Sequence, residues 1–125
     1  MSTLEAVMTT QEVANRFYEL AQTNQWNQIQ EELFAENAAS IEPVESPGLQ
    51  SVHGIAAIKE KGKKFEEMVE EMHGGFVSAP VVGGRFFSVG MGMDCTMKGM
   101  GRQKMDEIAV YEVKDGKIVK EQFFY

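Results

Sequence analysis

The stretch Val110–Tyr125, VYEVKDGKIVKEQFFY, decides the architecture of the chain, because it carries an Asp-Gly pair between two runs rich in apolar residues. In that setting Asp115-Gly116 is a strong short-range signal for a β-hairpin. The hairpin predicts that this part of the chain folds as an antiparallel sheet. Side chains two residues apart on each strand then share one face of the sheet.

Upstream of the hairpin the same pattern continues, with apolar runs separated by breaks at Gly83-Gly84 and Lys98–Gly101. Glycine clusters between such runs are typical of turns between strands. The predicted strands cover Phe76–Val82, Phe86–Met97, Gln103–Val113 and Ile118–Tyr125.

Before Gly74-Gly75 the spacing of apolar residues is helical. Thr9 and Glu12 have the spacing of a capping box, which marks a helix start. An apolar stripe follows at i, i+4, i+7 and i+8, formed by Val13, Phe17, Leu20 and Ala21. These residues predict a first helix of about four turns.

Two further helices and a short strand are predicted next. Asn24 is expected to cap a second helix, whose buried side carries Trp26, Ile29 and Leu33. Trp26 and Phe34 are interpreted as core residues. The short strand is the run SIEPV, Ser40–Val44, and Pro43 with Pro47-Gly48 is expected to form a loop.

The third helix is predicted to begin at about Gly54. Its apolar spacing is set by Ile55, Ile58, Gly62, Phe65, Met68 and Met72. Gly62 inside it costs about 1 kcal/mol relative to Ala, so it is interpreted as a place where another backbone could come close. Helices grouped before an antiparallel sheet indicate an α+β domain.

Composition limits what the protein can be. At 125 residues and 14.0 kDa the chain has the size of one domain, predicted to span residues 1–125 with an ordered core from about residue 9. A formal net charge of −7 argues against a nucleic-acid partner. The basic group Lys59, Lys61, Lys63 and Lys64 is interpreted as a solvated helix face, because four glutamates follow it at once.

Cysteine usage and hydropathy bear on location. Cys95 is the only cysteine, so no internal disulfide can form, which fits a reducing compartment. The start of the chain lacks a basic region followed by an apolar core, and no run is long enough to span a bilayer. A cytoplasmic protein without membrane contact is therefore expected.

The ordered set of elements resembles the SnoaL-like branch of the nuclear-transport-factor-two-like superfamily. The resemblance rests on RFYELAQTNQWNQIQEELFAENAASIEP (Arg16–Pro43), the helix start HGIAAIKE (His53–Glu60) and the closing stretch Val110–Tyr125. This branch includes polyketide cyclases and ketosteroid isomerases. It implies a cystatin-like, cone-shaped α+β fold, in which three N-terminal helices pack on a strongly curved, mostly antiparallel sheet. The resemblance also implies a pocket at the open end of the cone and a homodimer through the convex face of the sheet.

The resemblance suggests a role for one carboxylate. In ketosteroid isomerases the carboxylate before the matching proline is the general base, and Glu42 before Pro43 stands at that place. The tyrosine donor of those enzymes corresponds to Phe17 here, with Tyr18 one place along. Their protonated aspartate corresponds to Ala109. Because both donors are missing, the standard ketosteroid isomerase mechanism is not expected, and no cofactor is implied.

Strand alternation predicts which side chains enter the cone. If Ala109 faces inward, then Met105, Glu107, Tyr111 and Val113 do so as well. The resemblance places Glu121, Phe123 and Tyr125 inward. A four-residue turn at Lys98–Gly101 would pair Gly92 with Glu107, which turns Gly90, Gly92 and Asp94 inward and sends Met91, Met93 and Cys95 outward.

The predicted site is a group of acids in an apolar cavity. Glu42, Glu107 and Glu121, with Asp94 at its edge, would raise at least one carboxyl pKa through desolvation and like charge. The alternative for each is an ordinary solvent-facing or paired carboxylate. Phe17, Phe65, Asp94, Met105, Ala109, Phe123 and Tyr125 are the candidate ligand contacts.

The remaining predictions concern the role of His73 and the side chains on the outer face of the sheet. His73 is predicted either to shuttle a proton at the mouth of the pocket or to end the third helix before Gly74-Gly75. A metal site from His73 with these acids has no supporting spacing, so none is predicted. Ile108 and Val110, with Met91 and Met93, are interpreted as the apolar face of a homodimer, and Cys95 as a buried or interface thiol.

Three functions remain open from the sequence. The first is a dimeric, cofactor-free acid–base enzyme acting on a small apolar carbonyl or polyketide-like compound. In it Glu42 is the base, and Glu107, Glu121 or His73 is the donor. The second is a binding protein with the same pocket but no chemistry. The third is an interaction module that uses the exposed sheet.

Overall fold

The computed structural model describes residues 7–44, 46 and 49–125, so the predicted loop residues Pro47 and Gly48 lie outside the described part. Three helices are present, α1 (Thr10–Gln22), α2 (Trp26–Leu33) and α3 (Ile55–Met68). None of the helices in the described ranges is long and apolar enough to cross a membrane.

Within the described part of the chain, seven strands form one sheet. Their bounds are β1 (Phe34–Ile41), β2 (Val52–His53), β3 (Val69–Val77), β4 (Val81–Gly83), β5 (Phe86–Met97), β6 (Gly101–Lys114) and β7 (Lys117–Phe124). The strand order is β2-β1-β7-β6-β5-β3, and β4 pairs with β5 beside β3. Among the strand pairs of the described residues only β1–β7 is parallel, and the predicted α+β class is confirmed.

The first helix forms as its sequence predicts. Thr9 accepts from the backbone N–H of Glu12, and the Glu12 carboxylate accepts from the Thr9 N–H, which completes a capping box. The predicted apolar stripe is buried against the sheet. Phe17 lies at its centre, with ring centroids of Phe87 and Tyr111 at 5.5 and 4.7 Å. This aromatic cluster fills the space between α1 and the middle of the sheet.

The Asp115-Gly116 hairpin is confirmed. Both residues have positive φ, 51° and 75°, and Lys114 pairs with Lys117 across the two-residue turn. Positive φ at both central positions matches the right-handed twist of the flanking strands. The turn therefore fixes the pairs up to Val113–Ile118, and a one-residue bulge shifts the register from Glu112–Lys120 onward.

The predicted register between β5 and β6 is wrong by one residue. Their connection has three residues rather than four, because Gly99 and Gly101 adopt positive φ and Met97 pairs with Gly101. Met91 consequently pairs with Glu107, and Gly92 with Asp106.

A shift of one residue reverses every side chain on a strand. Met91 and Cys95 therefore face the helices, where Met91 packs against the core and Cys95 is fully buried. Met93 shares their side of β5, whereas Gly90, Gly92 and Asp94 face the opposite, convex side. The predictions for these six residues are corrected accordingly, with Cys95 buried within the fold.

The boundaries of α3 and of the neighbouring strands also differ from the predictions. The helix ends at Met68, and Met72 and Gly74-Gly75 lie inside β3, so the predicted strand at Phe76–Val82 is divided between β3 and β4. Gly75 allows close strand pairing, since a Cβ there would lie 2.8 Å from the Gly92 carbonyl oxygen. Gly62 has no such role, because nothing lies within 4 Å of its Cβ position.

Smaller corrections concern the second helix and the first strand. Asn24 does not cap α2 but takes positive φ, 57°, just after α1, and Gln25 is the residue that precedes α2. Ile29, Leu33 and Phe34 are buried as predicted, whereas Trp26 remains 36% exposed. The strand predicted at SIEPV begins earlier, at Phe34, and ends at Ile41.

The hairpin turn provides a direct test of the fold. Gly116→Ala should lower the free energy of unfolding by about 1–3 kcal/mol. The reason is that Gly116 has φ of 75° and an added Cβ would lie 2.8 Å from Val7 and 3.0 Å from the Met8 backbone. The measurement is urea denaturation.

Gly62→Ala is the matched control, because it lies on an exposed helix face with open space around it. This change should raise the free energy of unfolding by about 0.5–1 kcal/mol. Equal effects of the two substitutions would contradict the assigned turn.

Candidate active site

Adjacent strands bring three carboxyl groups together on the helix side of the sheet. Glu42 follows β1 directly, Glu121 lies on β7 and Glu107 on β6. These strands are neighbours, with Ser40 opposite Glu121 and Ile108 opposite Phe124. The inward parity predicted for β6 is confirmed by the burial of Ala109, Tyr111 and Val113.

Glu42 does not point freely into solvent. It is only 8% exposed, and its two carboxylate oxygens have different partners. Oε2 lies 2.8 Å from Lys61 Nζ in an ion pair, and Oε1 accepts a hydrogen bond of 2.8 Å from the Tyr125 hydroxyl. The Glu42 backbone N–H also donates to Ser51 Oγ, so the residue before Pro43 is held in place from three directions.

Lys61 is the residue of this site that the sequence interpretation missed. Its side chain is only 14% exposed, so its assignment to a solvated helix face is wrong. Nζ donates to Ser40 Oγ at 2.7 Å as well as to Glu42, and lies 5.6 Å from the Phe123 ring centroid. A signal was available, because Lys61 lies between Ile58 and Phe65 at i+3 and i−4 spacing, on the apolar side of α3.

Glu107 and Glu121 have unusually high pKa values. Burial, followed by the charges of Glu42 and Glu121, raises the pKa of Glu107 to about 7, against a lowering effect of Lys61. Burial also raises the pKa of Glu121 to about 7, although a hydrogen bond from Ser40 and the charge of Lys61 oppose the shift. Near neutral pH the site therefore holds acids that can give or accept a proton.

Two tyrosines border these acids. Tyr111 is 2% exposed, and burial together with the nearby glutamates raises its pKa well above its ordinary value. Tyr125 is 55% exposed, yet its hydroxyl contacts both Glu42 and, at 2.5 Å, Ser46 Oγ. Burial raises the pKa of Tyr125 as well, so it remains a hydrogen-bond donor at neutral pH.

The candidate ligand contacts lie at different depths. Phe17 and Ala109 are 1% and 0% exposed and belong to the packed core. Phe123 is half-buried against that core, while Met105 and Phe65 are half-buried on β6 and α3. Phe123 and Tyr125 are thus the aromatic side chains that contact the polar residues of the site directly.

His73 and Asp94 are not part of this site. The His73 ring lies 2.7 Å from Thr96 Oγ1, on the side of β5 that faces away from the helices. Asp94 lies on the same side and forms a bidentate salt bridge with Arg102. The hydrogen bonds from Arg102 lower the Asp94 pKa. The predicted place of His73 at the end of α3 is wrong, because the helix ends at Met68 and His73 lies at a bulge in β3, with its ring against Thr96.

Two surface depressions lie along β3, β5 and β6. One, of about 340 Å³, is lined by Phe76, Gly90, Ile108 and Phe124 and also touches Met91 and Glu107, and the other, of about 240 Å³, adjoins Gly75 and Gly92. Neither includes Glu42 or Glu121 in its lining. In the described ranges no group of three or more His, Cys, Asp or Glu side chains is placed to hold a metal ion.

The raised pKa values predict how stability depends on pH. A carboxyl whose folded pKa is about 7, against an ordinary 4.5, binds more protons in the folded state between those values. The free energy of unfolding should therefore rise as pH falls from about 8 to about 5. Urea denaturation at a series of pH values measures this slope.

Replacing both acids should remove the slope. The double variant Glu107→Gln/Glu121→Gln has no carboxyl to titrate in the site, while Glu66→Gln on the exposed face of α3 is the control. An unchanged slope in the double variant would show that neither acid titrates near pH 7.

Comparison with known proteins agrees with the architecture. The SnoaL-like domain family matches residues 8–125. A crystal structure from Mesorhizobium loti is 38% identical in sequence to this chain. That protein is described as a SnoaL-like polyketide cyclase and also as a carbohydrate phosphatase. It has a TM-score of 0.87 over 94% of this chain and 100% of that one. No curated protein matches the sequence.

More distant structures share the fold alone. A nuclear-transport-factor-two-like protein of unknown function from Burkholderia pseudomallei is 15% identical, with a TM-score of 0.74 over 94% of this chain and 92% of that one. A Catenulispora acidiphila protein with a ketosteroid isomerase-like fold, in complex with trimethylamine, is 15% identical. Its TM-score is 0.69, over 94% of this chain and 87% of that one. The family match over residues 8–125 and the 38% identity show that the chain belongs to the SnoaL-like domain family.

Proposed function

We propose that this protein binds a small, mainly apolar carbonyl compound at the Glu42 site and catalyses cofactor-free acid–base chemistry on it, as an isomerase or a cyclase. The observation that carries the proposal is the Glu42 carboxylate beside two acids whose pKa values are about 7. A base and a neutral acid within one small site are the groups that enolisation requires.

The proposed reaction begins at Glu42. Its carboxylate removes a proton from the carbon next to the substrate carbonyl, and the electrons of that C–H bond form the double bond of an enol. Protonated Glu107, which is half-buried and more accessible than Glu121, gives its proton or a hydrogen bond to the carbonyl oxygen. Returning the proton to another carbon completes an isomerisation, whereas attack of the enol carbon on an electrophilic carbon gives ring closure.

The surroundings favour an uncharged ligand. Lys61 already neutralises Glu42, so it is not free to bind an anionic substrate. Phe123, Tyr125, Met105 and Phe65 are the proposed apolar walls, above a floor that includes Phe17 and Ala109. Since Tyr125 is half-exposed and covers one oxygen of Glu42, its displacement is the proposed route of entry.

A binding protein without catalysis is the second candidate. Both oxygens of Glu42 are engaged, which favours a structural role for this carboxylate over that of a free base. The trimethylamine complex of the Catenulispora acidiphila protein is consistent with this fold holding a small molecule.

Turnover distinguishes the two candidates. A panel of small enolisable ketones in deuterated water, followed by proton NMR, should show protein-dependent exchange at the carbon next to the carbonyl. Glu42→Gln should lower that rate by about 10²–10⁴-fold while ligand binding is retained, because only the base is lost.

The control is Glu36→Gln on an exposed part of β1, which should exchange at the rate of the unmodified protein. Binding without exchange by the unmodified protein would favour the carrier. Equal rates for the unmodified protein and Glu42→Gln would remove Glu42 from the mechanism.

We also propose that a second copy of the chain packs on the convex face. Phe76, Ile108 and Phe124 are 56%, 49% and 50% exposed there, and they line the larger groove beside Gly90. Apolar side chains grouped on one sheet face are typical of homodimer interfaces. The predicted contact through Ile108 and Val110 belongs to this face.

Sedimentation tests the dimer. The protein should sediment as a dimer at micromolar concentration, and Ile108→Lys should convert it to a monomer because a charge would be buried without a partner. Met68→Lys, at a methionine that is 40% exposed on α3 and so on the helix side of the sheet, should remain a dimer. A monomeric unmodified protein would contradict the proposal.

A further inference from the structure

Lys61 is bound within the site as an internal cation. Its ammonium group donates to Ser40 Oγ and Glu42 Oε2 at 2.7 and 2.8 Å, and the Phe123 ring lies 5.6 Å away. A hydroxyl, a carboxylate and an aromatic ring are the groups that bind an organic ammonium ion. The side chain spans from α3 to the sheet with only 14% exposure, so its apolar stem is packed as well.

Among the described residues, the carboxyl groups that interact with this ammonium belong to Glu42, Glu107 and Glu121. Two phenols lie next to these acids: Tyr125 donates to the other oxygen of Glu42, and the buried Tyr111 is affected by the charges of Glu121 and Glu107. The charge of Lys61 is among the causes that hold down the pKa values of Glu107 and Glu121. One positive charge therefore acts on three carboxyl groups.

We propose that Lys61 is the positioning residue of this site, and that its ammonium group, bound by Ser40, Glu42 and the Phe123 ring, fixes Glu42 and sets the charge of Glu107 and Glu121. The inference deepens the proposed function and rests on it for its meaning in catalysis. Lys61 directs Oε2 of Glu42 away from a ligand and leaves Oε1, whose partner Tyr125 is half-exposed, as the oxygen that meets the substrate.

The role of Lys61 has a consequence that needs no substrate. Without the ammonium group, the Glu42 carboxylate loses its counter-charge and the two acids lose a stabilising influence on their ionised forms. Both should then hold their protons to higher pH. An external ammonium ion of the right length should lower the pKa values of both acids again, since Ser40, Glu42 and the Phe123 ring would still line the vacated space.

The test is a carbon-detected NMR titration of the glutamate carboxyl groups in the unmodified protein and in Lys61→Ala. The titration midpoints of Glu107 and Glu121 should rise by about one pH unit in the variant. Propylammonium, which matches the deleted part of the side chain, should bring them back toward their original values. Propanol, and sodium chloride at the same ionic strength, should not.

Further variants separate charge from packing. Lys61→Met keeps the apolar stem and should show the rise without rescue, and it decides the question if Lys61→Ala does not fold. Lys64→Ala, on the exposed side of the same helix, should leave both midpoints unchanged. Midpoints that do not move in Lys61→Met, or rescue by sodium chloride alone, would overturn the proposal.

The titration and the ketone panel give separate answers. Raised midpoints together with absent turnover would retain Lys61 as the residue that controls the charge of the site, and would reject the enzyme. Turnover with unmoved midpoints would retain the enzyme and reject the role of Lys61.

Discussion

The pairing of β6 with β7 sets the direction of the side chains in the two strands that carry Glu107 and Glu121. The positive φ angles of Asp115 and Gly116 fix the first pairs after the turn, and a one-residue bulge between Val113–Ile118 and Glu112–Lys120 then shifts the register, so that Glu121 pairs with Tyr111 on the side of the helices. The parallel pairing of β1 with β7 then brings Glu42 beside Glu121. The acidic site is thus a consequence of strand pairing before any side chain interacts with another.

That arrangement places three carboxyl groups close to one another with one lysine beside them. Three carboxyl groups in a half-buried place repel one another, and one lysine from α3 offsets only part of the repulsion. Burial is the main cause that raises the pKa values of Glu107 and Glu121 to about 7, and the neighbouring carboxylates add to the shift. Stability alone does not explain these acids, whereas carboxyl groups with perturbed pKa values tend to occur at functional sites.

Local signals in the sequence predicted most of the fold. The capping box of α1, the strand Phe86–Met97 and the Asp-Gly hairpin depend on residues close together in the chain, and all three are confirmed. The register of β5 was not predictable in the same way, because a three-residue and a four-residue turn differ only in the backbone angles that Gly99 and Gly101 adopt. That single difference moved Asp94 out of the site.

The site was predictable only in part for a related reason. Glu107 follows from alternation along β6, which a sequence displays directly, whereas Glu121 was placed inward by the family resemblance and lies beyond a bulge in β7. Lys61 was missed because composition placed it within a basic helix face, whereas its position between Ile58 and Phe65 placed it on the apolar side. His73 was misplaced because its role depended on where α3 ends, and helix ends are the least certain part of such a prediction.

Neutron crystallography at about pH 6 locates the protons of this site directly. Because burial raises the pKa values of Glu107 and Glu121 to about 7, deuterium is expected on a carboxyl oxygen of each, beside the Lys61–Glu42 ion pair. Deuterium-free carboxylates at both Glu107 and Glu121 would contradict this expectation.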